Sequence, residues 1–158
     1  VKEINTLGKA ATTSGLIFSL TGLMAAISSL VFGRLGQRIS LPKIMAFCIF
    51  VIGLLYLPLA WTTRMGLFAT FLILTGLLRG GQATSTNAMV GSSVTKEEQG
   101  IAYGLGQSAS SLGGGIGPLI GGGLATAIGL QPIFAISAGI FIVSSFLTMR
   151  LLPKRFKT

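Results

Sequence analysis

Five long, mostly apolar stretches dominate this chain, and they leave very few folds open to it. They run over about 13–33, 44–62, 66–90, 101–128 and 132–152. A helix that crosses a bilayer needs roughly 20 such residues, each advancing about 1.5 Å through a hydrocarbon core about 30 Å thick. Strands of a membrane barrel are only about ten residues long and alternate in polarity, unlike these continuous runs. A helix also pairs its own backbone N–H and C=O groups, as lipid demands. The sequence therefore predicts an all-α integral membrane protein with five transmembrane helices. Its 9% of charged residues falls far below the roughly 25% of soluble domains, which excludes soluble and disordered readings.

The few charges report orientation. Arg34, Arg38, Lys43, Lys96, Arg150, Lys154, Arg155 and Lys157 follow the first, third and fifth spans, while Lys2, Lys9 and Arg64 lie on the other side. The richer side is expected to be cytoplasmic, with the C-terminus inside and Val1 outside. The net charge of +9 is spread between apolar runs rather than gathered on one face, so no nucleic-acid partner is expected. Residues 1–9 carry no signal-peptide pattern. An outside start without such a signal leads us to expect a fragment from which preceding spans are missing.

Polarity divides the spans. The second and fifth are apolar throughout and are expected on an outer ring facing lipid, with Tyr56 and Trp61 in an interfacial belt. The first, third and fourth carry Ser, Thr, Asn, Gln, Gly and one Arg, so they are expected to face other helices or a water-filled cavity.

Three motifs stand out. The loop Gly33-Arg34-Leu35-Gly36-Gln37-Arg38 joins the first two spans. It reads either as a topology-setting basic turn or as a cytoplasmic latch. Arg79 lies inside the third span, with Gln82 three residues on and Asn87 beyond. A guanidinium at mid-membrane costs at least about 2.5–3.5 kcal/mol, so it either snorkels to the inner surface or serves a cavity. Gly113, Gly117, Pro118, Gly121 and Gly122 give the fourth span a smooth face with a proline in it, suited to close helix packing, to a hinge, or to both.

Missing chemistry is equally informative. No Asp, Glu or His falls in any span, so these residues build no intramembrane acid–base pair. Serines without a base form no protease constellation. With His absent and Cys48 the single cysteine, neither an internal disulfide nor a metal or other cofactor is expected. An enzyme is not expected.

At these motifs the chain resembles the major facilitator superfamily, most nearly its bacterial drug-efflux antiporters. Gly33-Arg34-Leu35-Gly36-Gln37-Arg38 is similar to the family's cytoplasmic signature G-x-L-A-D-R-x-G-R-[KR]. Arg79-Gly80-Gly81-Gln82 resembles R-x-x-Q-G, and Gly113-x-x-x-Gly117-Pro118-x-x-Gly121-Gly122 matches the antiporter signature G-x-x-x-G-P-x-x-G-G. All three occur in the family's order over nearly the whole chain. The signature acid is absent, with Gln37 near its place, and Ile39-Ser40 replaces the second glycine–arginine pair.

The resemblance implies that residues 1–158 are part of the C-terminal six-helix half of a twelve-helix transporter, namely helices eight to twelve. Helices two to six remain the alternative register. It further implies a multi-pass protein of the bacterial cell membrane that exports drugs or other small amphipathic molecules by alternating access, coupled to protons. Arg34 and Arg38 would then latch the cytoplasmic side. Arg79, Gln82, Asn87 and Gln107 would face the cavity or support coupling, and the coupling carboxylate would lie in the missing half of the same polypeptide. A superfamily transporter of sugars or metabolites, and a five-span subunit that transports nothing, are the competing readings.

Overall fold

The computed structural model describes residues 2–62 and 64–151, with side chains from Thr12 onward apart from Met65. Five helices follow one another: α1 (Lys2–Leu35), α2 (Leu41–Trp61), α3 (Met65–Ser93), α4 (Gln99–Ile128) and α5 (Leu130–Leu151). No strand occurs among the described residues. Each helix holds a segment long and apolar enough to cross a membrane, so this is a multi-pass membrane protein. The basic tail at Lys154, Arg155 and Lys157 lies outside the described residues, as do the side chains of Lys2 and Lys9.

The helix ends follow local chemistry. Pro42 opens α2, where its missing N–H costs nothing. Thr62 closes that helix by donating both its N–H (2.9 Å) and its Oγ1 (2.7 Å) to the Pro58 carbonyl. Between α3 and α4, the Glu98 carboxylate accepts the Thr95 hydroxyl at 3.0 Å and the Thr95 N–H at 3.4 Å, which closes the turn ahead of α4. Gly129, at φ +85°, reverses the chain between α4 and α5. The largest departure from the expected spans is at the start. Helix α1 begins at Lys2, well ahead of residue 13, because helix-forming Lys, Glu, Ala and Leu residues extend it past its apolar segment.

Packing is uneven. α1 lies along α3, and α2 is held between α3 and α5, whereas α4 meets α3 and α5 sparsely. Glycines set the close approaches. A Cβ on Gly76 would strike Thr21 and one on Gly80 would strike Ala25 and Ser28, so α3 lies directly against the α1 backbone. Gly81 fits between Phe32 and Cys48, and Gly53 brings α2 against Ala138 and Ile142 of α5. The core gathers Ile52, Tyr56, Leu59 and Ala138, walled by Phe68, Phe71, Phe134 and Phe141.

Two expectations drawn from polarity are corrected here. Helix α2 is not simply lipid-facing. Ile44, Ala46, Cys48 and Ile52 are buried, and only Lys43, Phe47, Leu54 and Trp61 are exposed along it. Lipid and a packed membrane core are equally apolar, so apolarity alone does not tell them apart. Nor does Tyr56 stand in an interfacial belt. It is 9% exposed and packs edge-on against Phe134 and Phe141, while Trp61 is 73% exposed at the helix end.

One buried polar tie crosses the α2–α5 interface, where Ser145 Oγ donates to the Ala46 carbonyl at 2.7 Å. Interhelical hydrogen bonds in membranes average about 0.6 kcal/mol and reach about 1.7. Ser145→Ala is therefore expected to lower the thermal midpoint in detergent by about 2–4 °C. Thr126→Ala, which removes an exposed bond within α4 to Gly123, should leave the midpoint in place. Equal midpoints for the two variants would remove the tie from the account.

Candidate functional site: a polar cleft between α3 and α4

The Arg79-Gly80-Gly81-Gln82 segment divides its residues by function. Gly80 and Gly81 face α1 and α2, where only a missing side chain fits. Helical geometry then sends Arg79 and Gln82, three residues apart, to a shared face. That face opens onto a cleft of about 1050 Å³ between α3 and α4, lined by Arg79, Gln82, Asn87, Gln107 and Ser110, with Tyr103 and Phe141 as aromatic walls. The four polar residues singled out in the sequence thus border one space.

Arg79 is the central residue of the 29-residue α3, roughly 20 Å along the axis from either end. A snorkelling side chain does not cover that distance. The guanidinium instead reaches sideways to α2, where Nη2 donates to Tyr56 Oη at a long 3.4 Å. Among the described residues Arg79 has no carboxylate partner and makes no second hydrogen bond. Tyr56, itself fixed by Phe134 and Phe141, is a site residue that the sequence reading missed. A cation at the middle of a membrane span needs a partner, and Tyr56 is the hydroxyl-bearing side chain of α2.

Hydroxyl groups contribute less to the cleft than their number suggests. Thr84 donates to the Gly80 carbonyl and Thr86 to the Gln82 carbonyl within α3. Thr21 and Ser28 do the same within α1, to Ile17 and Ala25. Such bonds satisfy the hydroxyl on its own helix. The amides of Gln82, Asn87 and Gln107 and the hydroxyl of Ser110 are left, beside Arg79, to the cleft.

The first turns of α4 are fastened to the end of α3. Tyr103 Oη donates to the Asn87 carbonyl at 3.0 Å, and Gln99 Nε2 to the Gly91 carbonyl at 3.1 Å. Any side chain on Gly91 would meet Tyr103 Oη. Farther along, α4 has no buried residue. Gly113, Gly117, Gly121 and Gly122 have nothing within 4 Å of where a Cβ would stand. Pro118 does not break the helix, and the glycine face meets no partner among the described residues.

The Gly33–Arg38 loop is compact. Gly36 N–H donates to Phe32 O at 2.9 Å and Arg38 N–H to Leu35 O at 3.0 Å. A Cβ on Gly36 would come within 3.0 Å of Leu41 Cδ2, so the turn is tight there. Arg34 occupies the last turn of α1, where its charge suits the negative helix end. Arg34 and Arg38 are both exposed.

Five helices able to span a membrane, with a central arginine opening on a polar cleft, define the chain as a polytopic membrane protein. The Major Facilitator Superfamily pattern matches residues 3–158, and the chain belongs to that family. It is 29% identical over 159 residues to the multidrug resistance protein MdtG of Escherichia coli O1:K1 / APEC, and to the MdtG of Escherichia coli strain K12 / DH10B. Each alignment covers 99% of this chain and 39% of the relative, so the chain spans well under half the length of these curated relatives. No solved structure matches it.

Proposed function

We propose that the chain is the helix eight-to-twelve part of a secondary active exporter of amphipathic small molecules, working by alternating access in the cell membrane and driven by proton antiport. The observation that carries this reading is the α3–α4 cleft, where Arg79, Gln82, Asn87 and Gln107 meet aromatic walls in a family of membrane transporters. The similarity to proteins named for multidrug resistance supports export and a broad apolar cargo. The eight basic residues on one side, against three on the other, support a cytoplasmic C-terminus. Proton coupling needs a carboxylate; the acids of this chain are Glu3, Glu97 and Glu98, and no acid is among the described residues lining the cleft. The coupling acid is therefore assigned to the other half of the same polypeptide. In this reading the Arg34 and Arg38 loop latches the cytoplasmic side, and the 113–122 face slides as the two halves rock.

The test is export of a cationic and an anionic dye, ethidium and fluorescein, from efflux-deficient bacteria that express the complete reading frame, with export of either one counting as drug efflux. Export that stops when a protonophore collapses the gradient is the expected result. Export that continues without the gradient would overturn proton coupling, and absence of export would overturn the drug-efflux reading.

A further inference from the structure

We propose that the α3–α4 cleft selects amphipathic anions, with Arg79 binding the cargo's oxyanion and the aromatic walls holding its apolar body. The proposal rests on the transport reading of the same cleft and deepens it by naming the charge of the cargo.

Charge carries the argument. Among the described residues, Arg79 is the one charged residue lining the cleft. The chain's acids lie elsewhere, with Glu97 and Glu98 in the α3–α4 turn and Glu3 in the first turn of α1. A guanidinium offers five N–H donors in a planar fork suited to carboxylate, sulfonate or phosphate oxygens. Here one long bond to Tyr56 occupies one of them. Gln82 from α3 and Gln107 from α4 border the same space, and their amides supply further donors. A cationic cargo would be repelled by Arg79, which no described acid of this chain offsets within the cleft.

Depth separates two sources of the oxyanion. At the centre of α3, Arg79 sits roughly 20 Å from either helix end, beyond the level of lipid headgroups. The anion is therefore cargo that enters the cleft, with the rest of its surface against Tyr103 and Phe141.

The test compares fluorescein and rhodamine 6G, xanthene dyes of similar shape and opposite charge. Each is titrated by fluorescence anisotropy against the complete protein in phosphatidylcholine nanodiscs. Fluorescein is expected to bind at least tenfold more tightly than rhodamine 6G. Arg79→Gln should weaken fluorescein at least tenfold without weakening rhodamine 6G, while Arg79→Lys and Tyr56→Phe keep the preference within a factor of three. A merely structural arginine would move both dyes together. Tighter binding of rhodamine 6G, or fluorescein binding unchanged in Arg79→Gln, would overturn the anion site. So would loss of fluorescein binding when phosphatidylglycerol is added, because the site would then belong to a lipid headgroup. Proton-driven export that ignores Arg79 would overturn the anion site and leave transport standing. Anion-selective binding without export would do the reverse.

Discussion

Gly80→Ala is expected to separate α1 from α3 and lower the thermal stability of the chain more than any exposed substitution. A methyl group there would collide with the Ser28 hydroxyl and with the backbone carbonyl of Ala25. The hydroxyl can rotate away, but the carbonyl belongs to a helix that can yield only as a whole. Overpacking of this kind costs about 1–3 kcal/mol and sometimes more. The gain in helix propensity, about 1 kcal/mol, opposes it. The steric term wins, because moving α1 outward also loosens the contacts of Thr21 with Gly76 and of Phe32 with Gly81. A fall of roughly 2–8 °C in the midpoint of circular-dichroism melting in detergent is expected. Gly15→Ala and Gly22→Ala, whose added carbons meet open space, should be neutral or slightly stabilising. If Gly80→Ala melts with these controls, the close α1–α3 contact is wrong.

The contrast between these glycines shows what the sequence carried and what it did not. Hydropathy alone located the five helices, because a lipid-spanning segment must be long and apolar whatever it packs against. Arg79 and Gln82 declared their shared face through a spacing of three. The sequence held no comparable mark to separate Gly80, pressed against a backbone, from Gly117, facing nothing in this chain. Both are glycines in an apolar helix, and the difference lies in which neighbour arrives from elsewhere in the fold. Tyr56 was misplaced for the same reason. An aromatic near a span end suits the interface, yet α3 and α5 close over it and turn it into the partner of Arg79. The hydroxyls failed differently: their residue types suggested a polar lining, but bonds to their own helices used up that capacity.

Gly117→Leu is expected to reduce export by the complete protein at least tenfold while leaving the melting of the 158-residue chain within about 2 °C of the parent. The two outcomes separate because the 113–122 face of α4 has open space over each of its glycines in this chain. A leucine there touches nothing already packed, and exchanging glycine for a stronger helix former favours α4 by nearly 1 kcal/mol. In a two-halved transporter the same smooth face would lie against a helix of the opposite half and slide along it. A side chain reaching several ångströms outward would block close approach in at least one of the two states. Gly117→Ala, adding one carbon, should fall between the parent and Gly117→Leu in export. A large fall in the melting temperature of the 158-residue chain would instead mean that the stripe is packed within it or against a second copy. Undiminished export by Gly117→Leu would mean that the stripe is not a moving contact, and α4 would then be a passive helix held in place by Tyr103 and Gln99 at its start.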